Sequence, residues 1–278
     1  MNCGDEIRQW RQRRRMTQLD LAVAVGVSTR HLSFVETGRS RPSRRLILEI
    51  GEGLDIPLVA RNELLLAAGF APRFTAHRLD DEPMRPVRAA LDTVLAAHDP
   101  NPALVLGDGF DLVAANAGAA VLVDGVDDAL LTPPINVMRL CLHPGGLAPR
   151  LINRVEVAES ILARVRRSYD RTADPRLGAL YDELREYAPE QPDAESGSAP
   201  EIFVPFRLTL RGGGQVRLVS TLTTFGSPRD AVLESLVLEA FYPGDEATRT
   251  ALAAAAEDSA DRAVRLVRRL PHLARYLT

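Results

Sequence analysis

Residues 17–43 read TQLDLAVAVGVSTRHLSFVETGRSRPS, and this stretch decides how the first quarter of the chain folds. Thr17 offers a hydroxyl N-cap, and Leu19, Leu21, Ala22 and Val25 follow at helical spacing. Gly26 ends that helix and Val27 packs the turn. Ser28 caps a second helix with Leu32 and Val35 as its inward stripe, and Gly38 closes it. Two short helices about a glycine turn form a device for reading DNA: one braces across the backbone while the next enters the major groove. An ordinary helical hairpin has the same outline, but three details favour the DNA reader. Gln18 stands at the start of the bracing helix, where an amide meets a phosphate or a base edge. Thr29, Arg30, Ser33 and Phe34 face outward from the second helix. A basic segment with Arg39, Arg41, Arg44 and Arg45 follows at once.

Working outward, the periodicity predicts helices over 4–14, 17–25, 28–37, 43–53 and 57–68, with Gly69 as a stop. Residues 5–70 resemble the five-helix domain of the repressor-type (XRE-like) helix-turn-helix family, through TQLDLA, GVS, LSFVETG and RPS. The resemblance implies that Gln18, Thr29, Arg30, Ser33 and Phe34 lie at the DNA. Ser28, Arg39, Arg41 and Arg44 complete the expected contact set. It also implies that Glu36 pairs with Arg11, as scaffold rather than as a reading residue. Phe34 replaces a usual polar residue, and either touches a thymine methyl or packs on its own domain.

Length and charge describe the remainder. A chain of 278 residues suggests two domains, and 46% hydrophobic with 26% charged residues suits a soluble globular protein. There is no lysine, so all 34 basic residues are arginine and phosphate contacts would fall to guanidinium groups. Residues 1–75 hold twelve arginines against eight acids, while the whole chain carries −3. A basic first quarter and an acidic remainder fit a DNA reader joined to a domain that does not touch DNA. Cys3 and Cys141 make no disulfide framework and show no metal spacing, which fits a reducing cytoplasm. MNCGDEIRQW lacks the apolar core of a signal peptide, and no apolar run reaches membrane length, so no membrane association is expected.

After a polar, proline-containing stretch at 71–85, the period changes. A helix over 86–97 precedes ALVLGDGFDLVAAN (103–116), which reads as strand, Asp108-Gly109 turn, strand. Short helices over 116–123 and 136–142 and longer ones over 151–167 and 175–187 follow. Residues 188–200 are acidic and rich in Pro, Ser and Gly, as a flexible loop would be. FVPFRLTL (203–210) and QVRLVSTLTTF (215–225) make a second hairpin, and AVLESLVLEAFYP (231–243) a further strand. A helix over 245–255 and an amphipathic one over 261–277, with a dimer contact as one use for it, end the chain.

Two strands, a group of helices and three strands is the order of a PAS domain. The segments PVRAALDTVLAAHDPNPALVLGDGFDLVAANAGA (86–119), NVMRLCLHPGGLAPRLINRVEVA (136–158) and the strands ending in STLTTFGSPRD (220–230) resemble the MmyB-like transcriptional regulators of actinobacteria. The resemblance covers residues 5–255 and implies a DNA-binding regulator with a PAS-like ligand-binding domain, fatty-acid-like ligands among those in view. The expected class is thus α+β: an all-α helix-turn-helix domain over 1–75, a linker over 76–85, a PAS-like domain with a five-stranded antiparallel sheet over 86–256, and a terminal amphipathic helix over 257–278.

The second domain shows no convincing catalytic set. His143 lies in a Pro/Gly turn without a nearby nucleophile, and Gly212-Gly213-Gly214 lacks the lysine and helix of a phosphate loop. Haem would need His143 or Cys141 as axial ligand, and a buried thiol is the simpler reading of Cys141, so no cofactor is expected. An apolar pocket is the better expectation, faced by Val105, Leu112, Met138, Leu142, Phe203, Phe206, Leu218 and Leu236, with Asn116, Arg139 and His143 as polar anchors. Asn116 serves equally as a helix cap. The expected partners are an operator in double-stranded DNA, a small apolar ligand and a second copy of the chain. A ligand-free dimerisation or protein-interaction module is the alternative for the second domain.

Overall fold

The computed structural model describes residues 2–189, 203–211, 213–226, 228–256 and 259–277. Five helices open the chain: α1 (Cys3–Arg13), α2 (Gln18–Ala24), α3 (Thr29–Glu36), α4 (Arg44–Gly53) and α5 (Leu58–Ala67). Next come α6 (Arg85–His98), β1 (Ala103–Leu106), β2 (Leu112–Ala115), α7 (Ala120–Val123), α8 (Val137–Leu142), α9 (Arg154–Thr172) and α10 (Pro175–Tyr187). Then follow β3 (Phe206–Thr209), β4 (Gln215–Thr224), α11 (Ala231–Ser235), β5 (Val237–Pro243), α12 (Glu246–Ala256) and α13 (Ser259–Arg269). The chain divides into two units. One is Met1–Arg78 with Asp170–Ala173 and Gly226–Glu234; the other is Leu79–Tyr169 with Asp174–Phe225 and Ser235–Thr278.

In the first unit, side-chain caps set where helices begin. Asn2, Ser28 and Ser43 accept the N–H of Asp5, His31 and Leu46, and Thr17 forms a reciprocal capping box with Asp20. α5 has no side-chain cap from Pro57; the carboxylate of Glu234 takes the Leu58 N–H at 2.7 Å instead. Gly26 and Gly38 sit at φ +69° and +71°, where a side chain is strained, and so end α2 and α3. Ile7, Leu21, Leu32, Ile47, Ile50, Leu64 and Leu65 are fully enclosed at the centre. Each contributes roughly 1.5–3 kcal/mol by leaving water. A Cβ at Gly4 would collide with the Val35 carbonyl, so this glycine lets α1 approach the end of α3.

Residues 71–78 are tied into this unit rather than spanning free. The Asn62 side chain accepts from the N–H of Arg73 and Phe74 and donates to the Phe74 carbonyl. Thr75 bridges Asp230, whose carboxylate also takes the His77 N–H at 3.0 Å. Burial resists the Asp230 charge, but these hydrogen bonds outweigh it and hold its pKa at about 2.

The second unit is built on an antiparallel sheet in the order β2-β1-β5-β4-β3. It is the PAS-like arrangement, so the fold class is α+β with a helix-turn-helix unit ahead of a PAS-like one. The β1–β2 hairpin turns through Gly109 and Phe110, both at positive φ, and the register slips between Val105 and Leu106. One face of the sheet and helices α7–α10 enclose the main core.

Three elements differ from expectation. Residues 231–243 are not one strand: Asp230 Oδ1 accepts the N–H groups of Val232 and Leu233, starts α11, and leaves only Val237–Pro243 as strand. α9 starts later and ends later than 151–167, running to the positive-φ residue Ala173 before Asp174 caps α10. The terminal helix breaks at Leu270, because Pro271 cannot continue it, and a 3-10 turn covers Pro271–Arg275. Leu266, Leu273 and Tyr276 belong to the main core, so the apolar side proposed for a dimer is spent inside the unit. From residue 190 onward, the expected loop at 188–200 lies outside the described residues.

Candidate functional site

The helix-turn-helix geometry places the expected readers unequally. Ser28, Thr29, Arg30, Arg39, Arg41 and Arg44 are exposed, and Ser33 and Phe34 are half-buried. Arg30 lies over the Phe34 ring at 5.4 Å, so the two share one patch and Phe34 packs on its own helix. Ser28 spends its hydroxyl oxygen on the α3 cap. Arg39 and Arg44 bond no protein group among the described residues, which leaves their forks open to an anion. Arg41 is different: Nε and Nη2 donate to the Ala68 carbonyl at 3.2 and 2.6 Å, at the end of α5. It stabilises that helix terminus.

Behind this face lies a buried network. Arg11 donates to both oxygens of Glu36, at 2.6 and 2.9 Å, and to the Met16 carbonyl at 2.8 Å. Gln18 Nε2 donates to the same Glu36 at 2.8 Å. Burial opposes the charge of Glu36, but the hydrogen bonds from Arg11 and Gln18 prevail and hold its carboxyl below the usual range. The network joins α1, the first turn of α2 and the end of α3 through one carboxylate. Gln18 is thus oriented by scaffold before it meets anything else.

The second unit holds a cavity of about 90 Å³ within its core. Its wall includes Leu104, Leu112 and Ala115 from β1 and β2, Met138, Leu140 and Cys141 from α8, and Phe206, Leu218 and Phe241 from β3, β4 and β5. The tail closes it with Leu266, Leu273, Tyr276 and Leu277. Burial pushes the Cys141 thiol up to about 12, so it stays neutral and apolar. The charged wall residues are Arg164 of α9 and Glu239 of β5. Arg164 Nη1 donates to both Glu239 oxygens, at 3.1 and 2.9 Å, and its guanidinium lies 5.2 Å over the Phe110 ring.

Of the expected lining residues, Leu112, Met138, Phe206 and Leu218 are on this wall, and the others are elsewhere. Asn116 is fully buried: Oδ1 accepts from Ala103 and Ala119, and Nδ2 donates to Asn101. It is a cap and strand clamp. Arg139 forks onto Glu183 at 2.5 and 2.7 Å, and His143 meets Tyr187 edge-on while its Nδ1 accepts from Gly145. Leu142 is packed in the core beside the cavity, and Phe203 is 45% exposed. Val105 is buried, but points from β1 oppositely to Leu104, as strand alternation requires. Leu236 is likewise buried away from the wall.

A family model described as "MmyB-like transcription regulator ligand binding domain" matches residues 87–255, and one described as "Helix-turn-helix domain" matches residues 3–64. The chain belongs to the MmyB-like transcription regulators. The chain is also similar to uncharacterised HTH-type transcriptional regulators of Mycobacterium bovis and Mycobacterium tuberculosis, 37% identical over 67 residues. That match covers 24% of this chain and 26% of each relative. Most of the cavity wall of this MmyB-like regulator lies within the segment that carries the ligand-binding match, and Leu266, Leu273, Tyr276 and Leu277 lie beyond it.

Arg164, Glu239 and the amphipathic tail, for which a dimer contact was the expected use, are wall residues outside the expected set. Glu239 did leave a signal, as the one charged residue in LVLEAFYP (236–243). Arg164 sits three residues after Ile161 and beside Val165 on the buried side of α9, where an arginine is out of place. Among the described residues, no helix is long and apolar enough to cross a membrane.

Proposed function

We propose that this regulator acts as a one-component, cytoplasmic transcription factor. α3 enters the major groove with Thr29, Arg30 and Ser33 toward base edges, while Gln18, Arg39 and Arg44 hold the phosphate backbone. A homodimer on a two-fold operator suits a small recognition unit of this kind. The second domain binds a small apolar molecule, of the class of single-chain amphiphiles, and passes its occupancy to operator affinity. For that the ligand must favour one of two conformations over the other.

The observation that carries the sensing part is the cavity itself. A well-packed domain leaves few voids larger than a water molecule, and a ligand-free interaction module has no use for one. About 90 Å³ of mostly apolar space is of the order of the dry cavities that take a benzene. A longer chain enters as the surrounding side chains yield.

Native mass spectrometry of the purified protein, followed by solvent extraction, tests the reading. A stoichiometric acyl or other apolar adduct on a dimer is the expected result. A bare mass, with no adduct regained on incubation with a panel of single-chain amphiphiles, would turn the domain into a dimerisation module.

A further inference from the structure

Resting on that reading of the cavity as a ligand site, we propose that its ligand carries an uncharged head group that both donates and accepts a hydrogen bond, such as a primary alcohol, seated on the Arg164–Glu239 pair. A free carboxylate is the head group the pair disfavours.

Arg164 and Glu239 are the charged members of an otherwise apolar wall, and they already neutralise each other. The Glu239 side chain is 5% exposed, so water does little to screen it. A ligand carboxylate reaching for Arg164 would bring a second anion against Glu239. Either Glu239 surrenders its partner and stays buried and unpaired, or two like charges share one guanidinium. Both are costly in a low-dielectric wall.

The hydrogen-bond inventory points the same way. Glu239 takes both its bonds from Nη1 of Arg164, and neither Nε nor Nη2 bonds a protein acceptor among the described residues. An arginine has five N–H donors, and each carboxylate oxygen accepts more than one bond. The pair thus keeps a donor and an acceptor side by side. A hydroxyl satisfies both: its oxygen accepts from the guanidinium and its O–H donates to a Glu239 oxygen. No ion pair is broken and no charge is added. The alkyl chain then runs along Met138, Leu218 and Phe241. Cys141, the titratable neighbour of the pair, remains a neutral thiol and adds no competing charge.

The test uses the full chain and two probes of equal chain length, hexanol and hexanoate, at neutral pH. Methionine-methyl NMR reads binding at Met138, which lies on the wall. Hexanol should bind about tenfold or more tightly than hexanoate. In Glu239→Gln, with the competing anion removed, hexanoate should gain about tenfold while hexanol changes little. The wild-type ratio decides even if that variant folds poorly. Hexanoate equal to or tighter than hexanol in the wild type, with Met138 responding, overturns the head-group assignment and leaves the ligand site standing. No response at Met138 to either probe, together with a bare native mass, overturns the ligand reading and this proposal with it.

Discussion

At the scale of the residue, Glu36 and Arg30 show how differently two polar side chains on one helix behave. Glu36 is 2% exposed and holds Arg11 and Gln18, whereas Arg30 stands in solvent over Phe34. Arg30→Ala should weaken specific operator binding by roughly 1–3 kcal/mol if it reads a base. Fluorescence anisotropy on a selected operator measures this, and unchanged affinity removes Arg30 from the readers. Glu36→Ala leaves the Arg11 guanidinium buried without its partner and should cost about 3–5 kcal/mol of stability. The pH dependence has a definite sign. The Glu36 pKa is lowered on folding, so its stabilisation is complete above the ordinary carboxylate range and is lost as pH falls toward the depressed value. Thermal melts should therefore show wild type and Glu36→Gln furthest apart near neutrality and converging in acid.

At the scale of the element, capping and termination account for what was legible. Thr17, Ser28, Ser43, Gly26 and Gly38 mark boundaries through bonds made within a few residues, and those boundaries fall within two residues of the expected ones. Thr17→Ala removes both hydroxyl bonds of its capping box and should cost about 1 kcal/mol in denaturant unfolding. The tail taught the opposite lesson. Its amphipathic stripe was plain, but the surface it covers was not, because periodicity names a face and not its partner. Leu273 is 3% exposed against the main core. Leu273→Ala should cost about 2–5 kcal/mol, read by chemical denaturation. A loss below about 0.5 kcal/mol, the level of an ordinary surface change, would mean that the tail does not close the core.

At the scale of the whole molecule, a basic helix-turn-helix unit and an acidic PAS-like unit share one chain, and the second unit encloses free volume at its centre. Filling that volume separates packing from sensing. Ala120 is 1% exposed and lies on the cavity wall. A larger apolar side chain there, as in Ala120→Leu, should hold or raise stability by about 0.5–2 kcal/mol while displacing any bound adduct. Native mass spectrometry checks the adduct and calorimetry the stability. An adduct retained at full occupancy would locate the ligand outside this cavity.

The sequence by itself determined the helix-turn-helix unit, the order of the five strands in the second unit with most of the helices between them, and the membership that both express. Those are carried by local signals: caps, turn glycines, apolar period and short motifs. It also separated Glu36 from the exposed face of α3. Tertiary structure alone decided which polar groups meet the cavity. Asn116, Arg139 and His143 look available in one dimension, yet each is satisfied by a partner between two and forty-four residues away. Arg164 and Glu239 look like a helix surface and a strand impurity, and they become the polar floor of the pocket only when α9 packs beside β5, 75 residues further on. A pair formed at that separation leaves no periodicity to read, because its energy comes from mutual burial in the folded core rather than from any bond between neighbours.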